Sequence, residues 1–588
     1  SPAADEYLID RRKFIGNYGD LREPLLDGYK AFGGTKEFNK WNESVGSLSW
    51  DIHLLPGEEK EIDILLGIEE NRQDVRISKD KYLEHTDKYF EKTKQYWEKL
   101  LGKTYIKTPD DSFNYMMNYW LKYQTISARL VGRTGYYQTG GAFGFRDQLQ
   151  DSQLYNKILP EKARKRILVH ASRQYQDGAV QHWWHPISDY GMRNGISDNL
   201  LWLPYITYRY IMESGDFEIL DEVVTFLDGG KETLKVHCEK AIERVWNRRS
   251  GRGLPLIGEG DWNDGLSAVG WQEKGESIWL GHFLVDILRK WSRLEFLQKN
   301  DEKAEVYKDR VGSLSEIINK YGWDGNWYIR ATTDSGRVLG SKEQDTHTYD
   351  EKTEDQINQG MIFLNAQTWS ILSGVITEDR MKYVQNSMEK YLYREYGPIL
   401  FYNAFLHSDP EIGYITRYGP GTRENGGLYS HAACWAIAAE CDMERPDKVE
   451  QLLKSFLPPV RSFDDADKYC AEPYVLPGNV DGPDSPNFGR GGWTWYTGSA
   501  AWLFTVGWDW IIGFMPKIEG IKIRPCLLKG WSEVSGFRYF RGRKINFTIQ
   551  NKCLDKISIE VNKKKIEGNL IEIEKYGKTE ELELKIIY

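Results

Sequence analysis

Between Gly258 and Leu266 the chain reads Gly-Glu-Gly-Asp-Trp-Asn-Asp-Gly-Leu, so two carboxylates, an amide and an indole fall within four residues that glycines bracket. Glycine admits close approach of backbone to a ligand and tolerates positive φ. An indole offers a flat apolar face and one N–H, which suits a sugar ring and its hydroxyl. Asp and Asn supply the polar partners, and a desolvated Asp keeps a proton that it can deliver to a leaving oxygen. The same letters also make an Asx-rich turn between two helices.

The pattern recurs. Tyr136–Asp151 reads YYQTGGAFGFRDQLQD, Gln181–Pro186 reads QHWWHP, and Tyr418–His431 reads YGPGTRENGGLYSH. Glu472–Tyr474 reads EPY and Gly489–Ala500 reads GRGGWTWYTGSA. Each mixes aromatics with charged or amide side chains in a glycine-rich setting, as the loops of a cleft for a polyhydroxylated ligand would. His182 and His185 have a spacing that metal sites use, but no third ligand lies near them, so no metal is expected.

These loops need a frame. At 588 residues the chain exceeds one ordinary core, and two to four domains are expected. Residues 1–75 carry short alternating runs, Ser47–Leu54 and Glu61–Leu66, that read as strands. Residues 79–100 are polar, with Tyr82, Tyr89, Phe90, Tyr96 and Trp97 at helical spacing, and read as a linker helix. From about 110 to 515 some eleven helix-period segments alternate with glycine-rich loops. They are 113–130, 199–213, 217–227, 231–247, 277–299, 304–321, 365–373, 378–392, 430–439, 448–456 and 500–514. No fixed repeat of 30–45 residues is visible, which argues against a protein-binding solenoid. From 518 onward period two returns, as in Lys544–Ile549 and Leu570–Ile573, which gives a terminal β domain.

Composition excludes several classes. Net charge is −9 with acid and base interleaved, which is not a nucleic-acid footprint, and there is no run of 18 apolar residues to span a membrane. Six scattered cysteines without CxxC pairs fit reduced thiols in a cytoplasmic protein rather than a disulfide framework or a zinc site. The chain starts at Ser1 without Met, which is expected of a piece of a longer protein.

The stretches FIGNYG (14–19), GFRDQLQD (144–151), QHWWHP (181–186), ISDNLLWLP (196–204), GEGDWNDGL (258–266), KGESIWL (274–280), RENGGLYSHA (423–432), EPYV (472–475) and WYTGSA (495–500) together carry a resemblance. The chain resembles, over essentially its whole length, the inverting β-glycoside phosphorylases of glycoside hydrolase family 94. That family also holds the C-terminal phosphorylase region of cyclic β-1,2-glucan synthases. The resemblance implies a multidomain α+β fold: an (α/α)6 barrel flanked by a partial N-terminal β-sandwich and a C-terminal jelly-roll-like β domain. The expected boundaries are 1–78 for the last part of the sandwich, 79–105 for the helical linker, 106–515 for the barrel and 516–588 for the β domain.

The resemblance also assigns roles. Asp264 is the general acid, its proton retained by burial beside Trp262. His431, Thr497 and Gly498 form the phosphate pocket, with an imidazolium, a hydroxyl and a backbone N–H as donors. Arg146, Asp147, Asp261, Trp262 and Glu472 grip the donor sugar. Trp183 and Trp184 are either acceptor platforms or core aromatics, and Gln150 and Asp151 buttress their loop. The implied reaction is reversible, inverting phosphorolysis of a β-linked gluco-oligosaccharide to α-glucose 1-phosphate. Inorganic phosphate is a co-substrate and no cofactor is needed. The 1,2 linkage stands slightly ahead of 1,4 (cellodextrin) and 1,3 (laminaribiose). A homodimer or a parent multidomain chain is the expected setting. An inverting hydrolase would need a second carboxylate, for which Glu472 is the candidate, and a non-catalytic carbohydrate-binding scaffold would need neither Asp264 nor His431.

Overall fold

A computed structural model describes residues 4–20, 22, 44–342, 359–552, 554 and 556–588. The chain divides into two compact units, Ser1–Lys99 and Leu100–Tyr588.

In the first unit the strand Glu6–Asp10 pairs antiparallel with Ser44–Ser49, and Leu8 and Ile15 are buried. The helix Arg72–Leu83 starts at Asn71, whose side chain accepts from the backbone N–H groups of Gln73 and Asp74. Two strand expectations are corrected here. The run Ser47–Leu54 is extended only as far as Ser49, and Glu61–Leu66 forms no strand, with Ile64, Leu65 and Leu66 exposed. Alternation only offers a face; a strand also needs a neighbouring strand to pair with, and 61–66 is part of no sheet among the described residues.

The second unit is dominated by helices, and six of them build its centre: α1 (Phe145–Asp151), α2 (Trp202–Ser214), α3 (Ile278–Leu297), α4 (Leu364–Leu372), α5 (Ser430–Asp442) and α6 (Ser499–Val506). Each packs on the next, and α6 returns to α1, so the six close a ring. Helices enclosed this way are apolar all round rather than on one stripe. Accordingly α6 is buried along its entire length, and α5 along all but its last residue. The packing is aromatic: Trp435 of α5 lies 5.3 Å from Trp369 of α4, 5.7 Å from Trp502 of α6 and 4.5 Å from Trp262 between ring centroids. Outer helices such as Asp301–Tyr321 and Pro446–Phe456 bury only part of their surface.

The helices Pro160–Ala171 and α1 escaped the sequence reading, and 217–227 is corrected. That segment holds a short 3-10 turn, Glu218–Asp221, followed by the strand Val223–Thr225 paired with Lys231–Thr233. The β-branched run Val-Val-Thr and the Asp228-Gly229-Gly230 turn, with both glycines at positive φ, make a hairpin where helical spacing suggested otherwise. Short two- and three-stranded sheets also stiffen the loops between the helices, where none was expected.

Beyond α6, alternation produces the expected sheets. Ile545, Phe547 and Ile549 are buried while their neighbours are partly exposed. Six strands run in the order Lys564–Ile566, Ser558–Val561, Glu581–Ile587, Arg543–Gln550, Glu533–Phe540 and Thr104–Lys107. A smaller sheet joins Phe514–Lys517, Gly520–Ile523 and Leu570–Glu572.

Because Trp435 packs against Trp262, Trp369 and Trp502, Trp435→Ala is expected to destabilise the second unit by about 3–5 kcal/mol. Urea denaturation followed by far-UV circular dichroism checks this; a loss below about 1 kcal/mol would remove the aromatic core from its assigned place.

Candidate active site

The six ring helices point their N-termini at one region. Arg146 is the second residue of α1, Asp198 lies four residues before α2, Ser277 caps α3, Asn365 is the second residue of α4, His431 the second of α5, and Gly498 caps α6. A helix N-terminus presents unpaired N–H groups and a positive dipole end, so their convergence favours bound anions and developing negative charge. There a cavity of about 430 Å³ opens, lined among others by Arg146, Asp147, Trp262, Asp264, His431 and Thr497.

The loop 258–266 is held from below. Gly258 (φ 62°) and Gly260 (φ 130°) take conformations that L side chains avoid, and a Cβ on Gly258 would lie 2.5 Å from the Gly195 carbonyl oxygen. Ser197 donates from both its N–H (2.9 Å) and its hydroxyl (3.0 Å) to the Gly260 carbonyl, clasping this loop to the segment before α2. Asp261 faces away from the cavity. Its carboxylate is fully buried, paired with the equally buried Arg330 and accepting from Ser277 Oγ at 2.7 Å. Arg330 also donates to Asn263 Oδ1 (3.0 Å), as does Asn365 Nδ2 (2.9 Å), and Asn263 Nδ2 donates to Glu424 Oε1 (3.0 Å). Asp261 thus anchors the loop from the buried side and does not line the cavity.

Asp264 reaches the cavity. The expectation that it is buried is corrected: its side chain is 38% exposed, and Arg146 Nη2 donates to its Oδ1 at 2.8 Å. Arg146 Nη1 donates to Asp198 Oδ1 (3.1 Å) and to the Asp261 carbonyl (2.9 Å). Burial opposes charge on this guanidinium, but Asp264 and Asp198 outweigh it and hold it protonated. Burial pushes Asp198 up to about 6 despite Arg146. For Asp147 burial works the same way but loses to Arg129, Arg146 and Arg133, which bring it down to about 2, so it is a fixed anion in the cavity wall. Trp262 lies edge-on to Tyr429 and His431, at 5.5 and 5.1 Å between centroids, and shows the cavity only a small part of its ring.

His431, Thr497 and Gly498 lie together at the starts of α5 and α6. Burial lowers His431 to about 3, so the expected imidazolium is corrected to a neutral ring. Gln150 Oε1 accepts from Trp502 Nε1 (2.9 Å) and from His431 Nε2 (3.0 Å), which puts the ring proton on Nε2 and leaves Nδ1 as an acceptor. Gln150 itself lines the cavity, a larger part than buttressing its loop. Thr497 Oγ1 accepts from the N–H of Ser499, the first residue of α6, at 3.2 Å.

Trp183 lines the cavity, whereas Trp184 is buried core, packed on His170 and Phe143. Glu472 does not line it and accepts from Trp495 Nε1 at 2.9 Å. His182 and His185 both line it, and His182 Nδ1 pairs with Asn199 Nδ2 at 2.9 Å. Among the described residues no group of three or more His, Cys, Asp or Glu is arranged to hold a metal ion. Cys238, Cys434, Cys441, Cys470 and Cys526 are free thiols, and Cys553 lies outside the described residues.

Four residues at the site were not singled out in advance. Arg129 and Arg133 line the cavity at the end of the long helix before α1. Arg423 stacks its guanidinium between Tyr418 and Trp493, at 4.6 and 4.5 Å. Glu424, buried beside Asn263, is raised to about 7 by burial and by the charge of Asp264. Arg423 and Glu424 stand inside the RENGG stretch, so their motif was visible though their part was not; Arg129 and Arg133 sit in no motif.

Residues 96–513 match the family model of the glycosyl hydrolase 94 superfamily catalytic domain, and residues 1–85 match that of the glycosyl hydrolase 94 supersandwich domain. The chain belongs to glycosyl hydrolase family 94, with a supersandwich N-terminal region and a helical catalytic domain. It is 34% identical over 555 residues to the cyclic beta-(1,2)-glucan synthase NdvB of Rhizobium meliloti (strain 1021), covering 89% of this chain and 19% of that protein. It is 30% identical over 585 residues to the solabiose phosphorylase of Paenibacillus borealis, covering 98% of this chain and 73% of that one. A solved sialidase superposes with a TM-score of 0.52 at 12% identity, over 79% of this chain and 40% of that one, a likeness of fold alone. No helix among the described residues is long and apolar enough to cross a membrane.

Removing Arg330 leaves the Asp261 carboxylate buried without its charge partner. Arg330→Met is therefore expected to cost about 3–5 kcal/mol of stability. Thermal denaturation measures it, and an unchanged melting temperature would show that the loop is held by other means.

Proposed function

We propose that this chain is an inverting β-glucoside phosphorylase, which transfers a glucosyl unit from a β-linked gluco-oligosaccharide to inorganic phosphate. The observation that carries the reading is one cavity lined both by Asp264 with Arg146 and by His431, Thr497 and Gly498 with two further arginines. In this reading Asp264 protonates the glycosidic oxygen as the anomeric carbon gains oxocarbenium character. Its side chain is partly exposed to the cavity, so a sugar bound there would complete its desolvation. Arg146, Asp147 and Trp262 hold the donor sugar, and Trp183 serves the acceptor side. Phosphate, already an anion, needs donors rather than a second catalytic carboxylate, and the ends of α5 and α6 with Arg129 and Arg133 suit it.

A hydrolase reading is less favoured. Its base must be ionised, while Glu472 lies off the cavity lining and Glu424 is pushed towards its neutral form. The closed helical ring is read as the inner layer of an (α/α)6 barrel over 106–515, with 79–105 as linker, a jelly-roll-like β domain over 516–588 and the sandwich portion before residue 79. The likeness to a cyclic β-1,2-glucan synthase favours the 1,2 linkage slightly, while relatives acting on other glycosides keep 1,4 and 1,3 in the assay. The chain spans 19% of the first of these relatives, so its own activity is a proposal for the segment as it stands.

The expected product from 1,2-, 1,3- or 1,4-linked β-gluco-oligosaccharide and phosphate is α-glucose 1-phosphate, because attack from the face opposite the acid inverts the anomeric carbon. Proton NMR of the first product reads the anomer. A β-1-phosphate would overturn the mechanism, and phosphate-independent glucose release would favour the hydrolase.

Asp264→Asn is expected to lose roughly a hundred- to ten-thousand-fold in rate while keeping the fold. A variant with more than about a tenth of the wild-type rate would remove Asp264 from the role of acid.

A further inference from the structure

Asp151 closes α1 behind the part of the cavity bounded by His431 and Gly498. Its two oxygens differ. Oδ2 accepts from Arg129 Nε at 3.0 Å, whereas Oδ1 is buried and receives no hydrogen bond. A Cβ placed on Gly498 would lie 3.4 Å from Asp151 Oδ1 and 3.4 Å from His431 Cε1, so the unpartnered oxygen and the imidazole meet at this glycine, which lines the cavity. A buried carboxylate oxygen with no donor is costly as an anion and becomes a competent donor once protonated.

The charges around it are few. Arg129 and Arg133 come from the end of the preceding helix, Asp147 from one turn back on α1, Arg166 from the helix Pro160–Ala171, Tyr496 from the loop before α6, and the neutral His431 from α5. Arg129 is shared between Asp151 and Asp147, the latter at 3.9 Å. A phosphate arriving at Gly498 and His431 would be a third anion competing for Arg129 and Arg133. Asp147 is too strongly held as an anion to yield, and His431 Nδ1 is too basicity-depleted by burial to accept a proton readily. Asp151, which burial has already raised to about 6 against the pull of Arg129 and Arg133, is the group closest to taking one.

We propose that phosphate binding in this cavity is coupled to the uptake of one proton by Asp151, on Oδ1; this rests on the phosphate reading above. The proton comes from solvent, no other bond changes, and Arg129 keeps its charge. Protonation relieves Arg129 of one of its two carboxylates, turns it towards the bound anion and removes the like-charge repulsion behind Gly498. Asp151 is thus a positioning residue that sets when the anion binds rather than one that reacts. Its sign follows from linkage: binding is tightest where Asp151 is protonated and weakens as pH rises through the ligand-free value of about 6.

Titration calorimetry of inorganic phosphate into the whole chain at pH 7, in two buffers of different ionisation heat, counts the protons taken up. The wild type is expected to take up close to one proton more than Asp151→Asn, which mimics the neutral acid; phosphate's own ionisation is common to both and cancels. The ratio of wild-type to variant dissociation constants should climb up to about tenfold per pH unit above pH 6. His431→Gln should keep the extra proton even where it binds phosphate more weakly. In wild-type protein, infrared difference spectra should gain a carboxylic-acid C=O stretch on adding phosphate, a readout that does not depend on either variant folding. Equal proton counts in wild type and Asp151→Asn, a count lost in His431→Gln alone, or no new C=O band would overturn the coupling while leaving the phosphate reading in place. Absence of any phosphate binding by the wild type would overturn both.

Discussion

The Arg146 guanidinium ties three stretches of chain together at the cavity. It reaches Asp264 through one nitrogen, and Asp198 and the Asp261 carbonyl through another. A planar fork can do this because its donors are rigidly spaced and always charged; a lysine at this place would satisfy one partner and strand the others. The hydrogen bond from Arg146 Nη2 fixes where Asp264 points, and the one from Nη1 holds Asp198. The rest of the site follows from that constraint. The loop carrying Asp264 must be firm enough to meet the fork, and Arg330 with Asp261 makes it so from the buried side.

The ring of helices explains why so many polar groups tolerate such burial. The starts of α1, α5 and α6 line the cavity, and a helix N-terminus brings a favourable dipole end to negative charge. Their flanks are packed with tryptophan, which excludes water and strengthens every electrostatic contact inside. The ionisations then diverge by position. Asp147, among three arginines, stays charged; Asp198, Asp151 and Glu424, with fewer cations or more burial, are pushed towards their neutral forms. Carboxylates of one chemical type thereby acquire different tasks from their surroundings alone.

Much of this was legible in the chain. The glycine-rich stretches around Arg146, Trp262, Asp264, His431 and Thr497 announced a cleft because such residues have little reason to cluster in ordinary turns, and family membership agrees with that reading. The apolar runs of α3, α5 and α6 and the alternation of Ile545, Phe547 and Ile549 were equally plain, since burial on all sides or on one face leaves a periodic trace. Glu61–Leu66 misled because alternation describes a face and not a partner. Residues 217–227 misled because Asp228-Gly229-Gly230 decides the chain direction locally, overriding a weak helical spacing.

Sequence alone therefore determined the residue types that gather at the site and the elements that carry them, because composition and period are local properties. Tertiary structure decided the orientation of each group. Adjacent letters parted company: Asp261 turned into the core to meet Arg330 while Asp264 turned into the cavity to meet Arg146, and Trp183 stayed at the wall while Trp184 went inside. His431 lost the charge that its type suggested, because the helices that bury it lie far away in sequence. Arg129 and Arg133 joined the site without any motif. Burial and charge pairing are sums over neighbours in space, and spacing along a chain records only the neighbours in sequence.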